Sequence, residues 1–107
     1  MGRESIGELE HLILLGILAL GEDASALKVR TRLEEEGRAV TRGALYRSLD
    51  RLGEKGLIGW AVLDPTDARG GHPKRIYTVS DSGLEVLRDR RATLERLWAS
   101  AAGALDG

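Results

Sequence analysis

Thr41-Arg42-Gly43-Ala44-Leu45-Tyr46-Arg47-Ser48-Leu49, and further along Gly70-Gly71-His72-Pro73-Lys74-Arg75-Ile76-Tyr77, decide how this chain reads. In the first stretch, Leu45, Leu49 and, just beyond, Leu52 recur at i, i+4, i+7. That spacing predicts a helix with one buried stripe. Thr41 stands where an N-cap is wanted. At 100° per residue the opposite face carries Gly43, Arg47, Asp50, Arg51 and Glu54, with Tyr46 on the flank and Arg42 in the first turn. The second stretch is a glycine-rich tip that runs into two cations and then an alternating strand.

The remaining elements are placed outward from this pair. Helix one is expected over Ser5 to Leu20, apolar nearly all round in its C-terminal half, which marks burial by more than one neighbour. Helix two runs from a Ser25 N-cap to Glu36, with Leu27, Val29, Arg30 and Leu33 on its inner side. Helix three starts at Thr41 and stops before Gly56. Gly21, Gly37 and Gly56 each follow a helix end, where a left-handed residue is favoured. Leu57 to Leu63 and Lys74 to Val79 form a hairpin around the Asp64–Pro73 loop. Ser80-Asp81-Ser82 then caps a last helix, Asp81 to Leu105. The expected fold is mainly α with a small β-hairpin, a winged helix-turn-helix in the order α-α-α-β-β-α. Residues 1–80 form the winged-helix part and 81–107 a C-terminal dimerisation helix of the same structural unit.

With 107 residues, one domain is expected. The chain has no cysteine, which removes disulfides and thiolate metal sites and suits a reducing cytoplasm. No secretory signal is visible at the N-terminus. The longest apolar run, Leu12 to Leu20, is far short of the roughly 20 residues needed to cross a bilayer. A cytoplasmic protein with no membrane partner is expected. His11 and His72 are the only histidines, so no metal site and no cofactor are expected. No nucleophile–base pair or phosphate loop appears, so the chain does not read as an enzyme.

The formal net charge of −1 conceals a strong segregation. Residues 1–37 carry 4 cations and 8 anions, and residues 38–75 carry 8 cations and 4 anions. Phosphates respond to local charge, because fields beyond about 8–10 Å are screened at physiological salt. A cationic helix followed by a cationic hairpin suits duplex DNA. The helix enters the major groove with its N-terminal end, where free N–H groups also suit phosphate. Arg47 is placed for a base edge, Thr41 and Tyr46 for phosphates, and Gly43 allows close backbone approach. Arg42 and Arg51 add charge to the same face. Arg69, Gly70, His72, Lys74 and Arg75 belong to a tip that reaches the minor groove or the backbone. The alternative is a winged helix used as a protein-interaction module without operator binding, its cationic face incidental.

In the last helix, Leu84, Leu87, Arg91, Leu94, Trp98, Ala101 and Leu105 alternate in steps of three and four, an a/d seam with Arg91 as its polar exception. Leu84, Leu87, Leu94, Trp98, Ala101 and Leu105 therefore predict a symmetric dimer. Folding of the seam onto helix one is the alternative, and one half of the helix can serve each. Trp98 is either a dimer anchor or one wall of an apolar site for a small aromatic effector between subunits.

With these residues in view, the chain resembles the PadR-like family of winged-helix transcriptional regulators over nearly its whole length. Thr41 to Leu49 stands where the family shows Ser-Pro-Gly-Thr-Leu-Tyr-Pro-x-Leu. Leu52-Gly53-Glu54-Lys55-Gly56-Leu57-Ile58 continues the likeness. Gly71-His72-Pro73-Lys74-Arg75-Ile76-Tyr77-Thr78-Val79-Ser80-Asp81-Ser82-Gly83 matches Gly-x-Pro-Arg-Lys-x-Tyr-x-Leu-Thr-x-x-Gly. The resemblance implies a homodimeric repressor on a pseudo-palindromic operator, dimerised through the C-terminal helix. The chain departs at Arg42 and Arg47, where the family often has prolines, at Ala44, where it has Thr, and at Leu27, where helix two commonly carries Tyr. The family's C-terminal Trp, which lines an effector pore in multidrug-binding members, aligns one turn before Trp98.

Overall fold

The computed structural model describes residues 5–63 and 74–106. Helix α1 spans Glu8–Leu20, a 3₁₀ turn Gly21–Asp23, α2 Ala26–Glu35 and α3 Arg42–Glu54. Strands β1, Ile58–Leu63, and β2, Lys74–Val79, follow, then α4, Asp81–Asp106. The order is the expected α-α-α-β-β-α, a winged helix-turn-helix.

Local chemistry sets most boundaries. Ser25 Oγ accepts from Lys28 N–H at 3.3 Å, Thr41 Oγ1 from Ala44 N–H at 3.1 Å and Ser80 Oγ from Gly83 N–H at 3.1 Å. Each closes an otherwise unsatisfied donor at a helix start. Gly37 and Gly56 have φ of 78° and 74°. Arg38 N–H reaches Leu33 O and Leu57 N–H reaches Leu52 O, both at 2.9 Å, completing paired-carbonyl stops after α2 and α3.

Two expectations fail. Helix one begins at Glu8 rather than Ser5. Gly7 N–H donates to Glu10 Oε1 at 3.2 Å, while the Ser5 and Ile6 carbonyls accept from Lys55 Nζ at 2.7 Å and an Arg90 guanidinium nitrogen at 3.2 Å. Those two carbonyls are thus held by distant cations rather than by a helical ladder. Leu27 is 70% exposed, not inward. Val29 and Leu33 are buried as expected, and Ala26 rather than Leu27 completes the stripe of α2. Arg30 lies beside it, its Nε donating to Val40 O at 2.8 Å.

Ile13, Leu14, Ile17, Val29, Leu45, Leu52 and Leu57 are the largest fully buried side chains. Helix α1 is the hub of this core, packing against α2, α3, α4 and β2. The hairpin is antiparallel, pairing Ile58 with Val79 through to Leu63 with Lys74. Tyr77 N–H donates to Ala24 O at 2.8 Å, tying the hairpin to the segment before α2, and Ser80 N–H to Leu57 O at 2.9 Å continues the ladder one pair further. Helix α4 joins the core only through its first turns, where Gly83, Val86 and Leu87 are buried. Among the described residues, no helix is long and apolar enough to cross a membrane.

Candidate nucleic-acid interface

The Thr41 cap directs the first turn of α3 outward. Arg42, Gly43, Tyr46, Arg47 and Arg51 are exposed, while Leu45, Leu49 and Leu52 point into the core. Arg42 lies over the Tyr46 ring, 5.6 Å from guanidinium carbon to ring centroid. An Arg47 guanidinium nitrogen comes within 3.3 Å of where a Gly43 Cβ would stand. Gly43 therefore has a local use besides backbone approach: it gives Arg47 room to lie back along the first turn.

On the wing, Lys74 and Arg75 are both exposed. Arg75 stacks over Trp60 at 4.6 Å. Arg69, Gly70 and His72 lie outside the described residues.

The elements meet in a cleft of about 350 Å³. Ser25 to Lys28, from the cap and first turn of α2, line one side, Tyr46 of α3 another, and Lys74, Arg75 and Tyr77 of β2 the third. Three cations from two elements and the start of a helix thus border one concave surface, a disposition that attracts phosphate. Sequence reasoning missed Lys28 and placed Leu27 on the wrong face. The signal was present: with Ser25 as N-cap, residue 28 belongs to the open first turn, and an Ala26/Val29/Leu33 stripe leaves 27 and 28 outside.

The expected dimer seam divides along α4. Leu87 is buried in the chain's own core and Leu84 is half-buried, while Leu94, Trp98, Ala101 and Leu105 are exposed. Leu97, outside the seam, is exposed too. Leu15 and Leu18 of α1 face α4 across a largely apolar groove of about 900 Å³, which Trp98 also lines. His11 sits at the same groove with Arg88, Arg91 and Glu95. Burial, and then the charge of Arg90, hold the His11 imidazole below its ordinary pKa of 6.5. Among the described residues, no group of three or more metal-binding side chains occurs.

Comparison with known proteins agrees with this fold. The family model for the transcriptional regulator PadR-like family matches residues 14–89. No curated protein matches the chain closely enough to count as a relative. Among solved structures, a PadR-like transcriptional regulator from Bacillus cereus is 25% identical with a TM-score of 0.74, covering 92% of each chain. A PadR family regulator from Clostridium difficile superposes with a TM-score of 0.78 at 19% identity, covering 92% of this chain and 99% of the other. Bacillus subtilis PadR, solved in complex with operator DNA, is 27% identical with a TM-score of 0.64, covering 76% of this chain and 46% of that one.

Proposed function

Because the chain belongs to the PadR-like family of transcriptional regulators, we propose that it binds DNA sequence-specifically, as a homodimer, and acts as a repressor on a pseudo-palindromic operator. The observation that carries this reading is the convergence of Tyr46, Lys28, Lys74 and Arg75 on one cleft beside the exposed arginines of α3. Arg42, Arg47 and Arg51, with Gly43, face the major groove, and Arg47 reads a base edge. Thr41, Tyr46, Lys74 and Arg75 hold phosphates, and Arg69, Gly70 and His72 contact the minor groove or the backbone. The complex of the Bacillus subtilis relative with its operator supports this use of the fold.

The exposed strip of Leu94, Leu97, Trp98 and Leu105 on α4, continued by Leu15 and Leu18, supports the dimer. Contiguous apolar surface of this kind is rarely left in water. Leu84, Leu94, Trp98, Ala101 and Leu105 meet the partner copy, and Leu87 ties the seam to the winged-helix core. Residues 1–80 then act as the reading head and 81–107 as the dimerising arm. A small aromatic effector would sit against Trp98. The protein works in the cytoplasm, where the operator is.

The test is DNA binding by fragments selected from genomic DNA, followed by two substitutions. Arg47→Ala costs about 1–3 kcal/mol and relaxes sequence preference. Lys74→Ala weakens all sequences alike and lowers the salt slope by about 0.9. An Arg47→Ala protein with unchanged affinity and preference would remove the groove assignment. Failure to select any fragment at low salt would favour the protein-interaction module instead.

A further inference from the structure

We propose that Trp60 is a positioning residue for DNA binding, holding the Arg75 guanidinium in the orientation in which it meets a phosphate; this rests on the DNA-binding reading above. Trp60 is 49% exposed, so part of its ring is open to a surface cation. Three contacts fix its ring. It lies directly across the hairpin from Tyr77, with ring centroids 6.2 Å apart at 58°. Its Cζ3 edge stands 3.7 Å from where a Gly53 Cβ would be, so the ring rests on the last turns of α3. Arg75 covers its face at 4.6 Å. The cross-strand partner of Arg75 is Val62, two residues from Trp60, so the cation leans along the same face of the hairpin to reach the ring.

A guanidinium stacked by its face keeps all its N–H donors in the free plane around its rim. Stacking on Trp60 therefore orients Arg75 without using the donors that a phosphate needs. It also removes rotamer freedom before binding, so less is lost when the phosphate arrives. Since Trp60 also rests on α3, the wing cation is tied in position to the helix that carries Arg47.

The experiment measures binding of the full chain to a fluorescein-labelled random-sequence duplex by anisotropy, across a salt series. Four single variants are compared: Trp60→Leu, which keeps apolar bulk on Gly53 but has no π face, Trp60→Phe, Arg75→Ala and Lys74→Ala. Trp60→Leu should weaken binding roughly twofold to fivefold, the range of an exposed cation–π contact, and Trp60→Phe should recover part of it. In an Arg75→Ala background, Trp60→Leu should add nothing, whereas in a Lys74→Ala background it should retain its full effect. Additive losses from Trp60→Leu and Arg75→Ala would overturn the proposal, as would Trp60→Leu binding like wild type. Failure of the wild-type chain to bind the duplex at low salt would instead bring down the DNA-binding reading itself. Matching circular dichroism melts show that Trp60→Leu is folded; if it is not, the contrast between Trp60→Phe and wild type in the same two backgrounds decides.

Discussion

Replacing Gly83 with alanine should damage the fold far more than its chemistry suggests, because α4 is seated on the hairpin at that point with no room for a methyl group. A Cβ at Gly83 would clash with the carbonyl oxygen of Leu57 and stand 2.6 Å from Val79 Cγ1. Carbon atoms meet at about 3.5–4.0 Å, so the first turn of α4 has to withdraw by roughly an ångström. Withdrawal also stretches the 2.9 Å bond from Ser80 N–H to that same carbonyl and lifts Val86 and Leu87 from the core. Overpacking costs about 1–3 kcal/mol, and the obstacle here is backbone rather than a flexible side chain, so the upper end applies. Adding a weakened buried hydrogen bond, the total is about 3 kcal/mol. For a chain of this size that lowers Tm by roughly 10–20 °C. Gly103→Ala is the matched control on the same helix. Nothing lies within 4 Å of a Cβ there, and alanine is favoured over glycine in a helix interior by about 0.5–1 kcal/mol. Thermal melts of both variants at one protein concentration give the result, concentration being fixed because association shifts Tm. A Gly83→Ala protein that melts with wild type would refute the close seating of α4 on Leu57.

Two further outcomes follow from the way α1 is held. Glu10 is buried and its carboxylate receives Lys55 Nζ at 2.9 Å, with side-chain exposures of 8% and 24%. Lys55→Met leaves that carboxylate without its cation, and given the partial exposure of Lys55 the loss should be about 1–3 kcal/mol. Urea midpoints check this, and adding Glu10→Gln should recover part of the loss; no recovery would mean that the pair is not the cause. His11 is held below its ordinary pKa, first by burial and then by Arg90, so the unfolded chain takes up this proton more readily than the folded one. Its contribution is complete above pH about 6.5 and is lost as pH falls through that value toward the folded pKa. Denaturant melts at about pH 7.5 and about pH 5.5 should differ less for His11→Asn than for wild type. Equal differences would sink the assignment.

What could be read from the chain follows the range of the forces involved. The caps at Ser25, Thr41 and Ser80, the stops at Gly37 and Gly56, the Leu45/Leu49/Leu52 stripe and the Lys74–Val79 strand are set by interactions a few residues long, and the structure keeps them all. The start of α1 is different. The carbonyls just before it, of Ser5 and Ile6, are taken by Lys55 and Arg90, 50 and 84 residues away, and only the Gly7–Glu10 cap is local. Leu27 is a problem of phase. In a helix of only 10 residues, stripes through residue 26 and through residue 27 are both helical, and packing against α1 selects the first. The family likeness at Gly83 is visible in the sequence, but the backbone oxygen too close for a Cβ there belongs to tertiary structure.

The same distinction changes how charge should be counted. Dividing the chain into segments assigns the first 37 residues to an acidic block and so hides Lys28. In space, Lys28 stands at the open start of α2 and lines the same cleft as Lys74 and Arg75, while Glu34, Glu35 and Glu36 are at the opposite end of that helix. Ten residues at 1.5 Å each separate the two ends by about 15 Å, more than a Debye length at physiological salt. The Glu34–Glu36 run of α2 therefore lies beyond a Debye length from the cleft, and the nearer acidic pair is Glu22 and Asp23 of the 3₁₀ turn. Counted in space, cations far apart in the sequence, Lys28 and the Lys74-Arg75 pair, are gathered at one cleft. Trp60 adds a further step, since it gives one of those cations a fixed direction, and the pairing that does so, with Arg75 across the hairpin, is set by strand register and not by sequence neighbours.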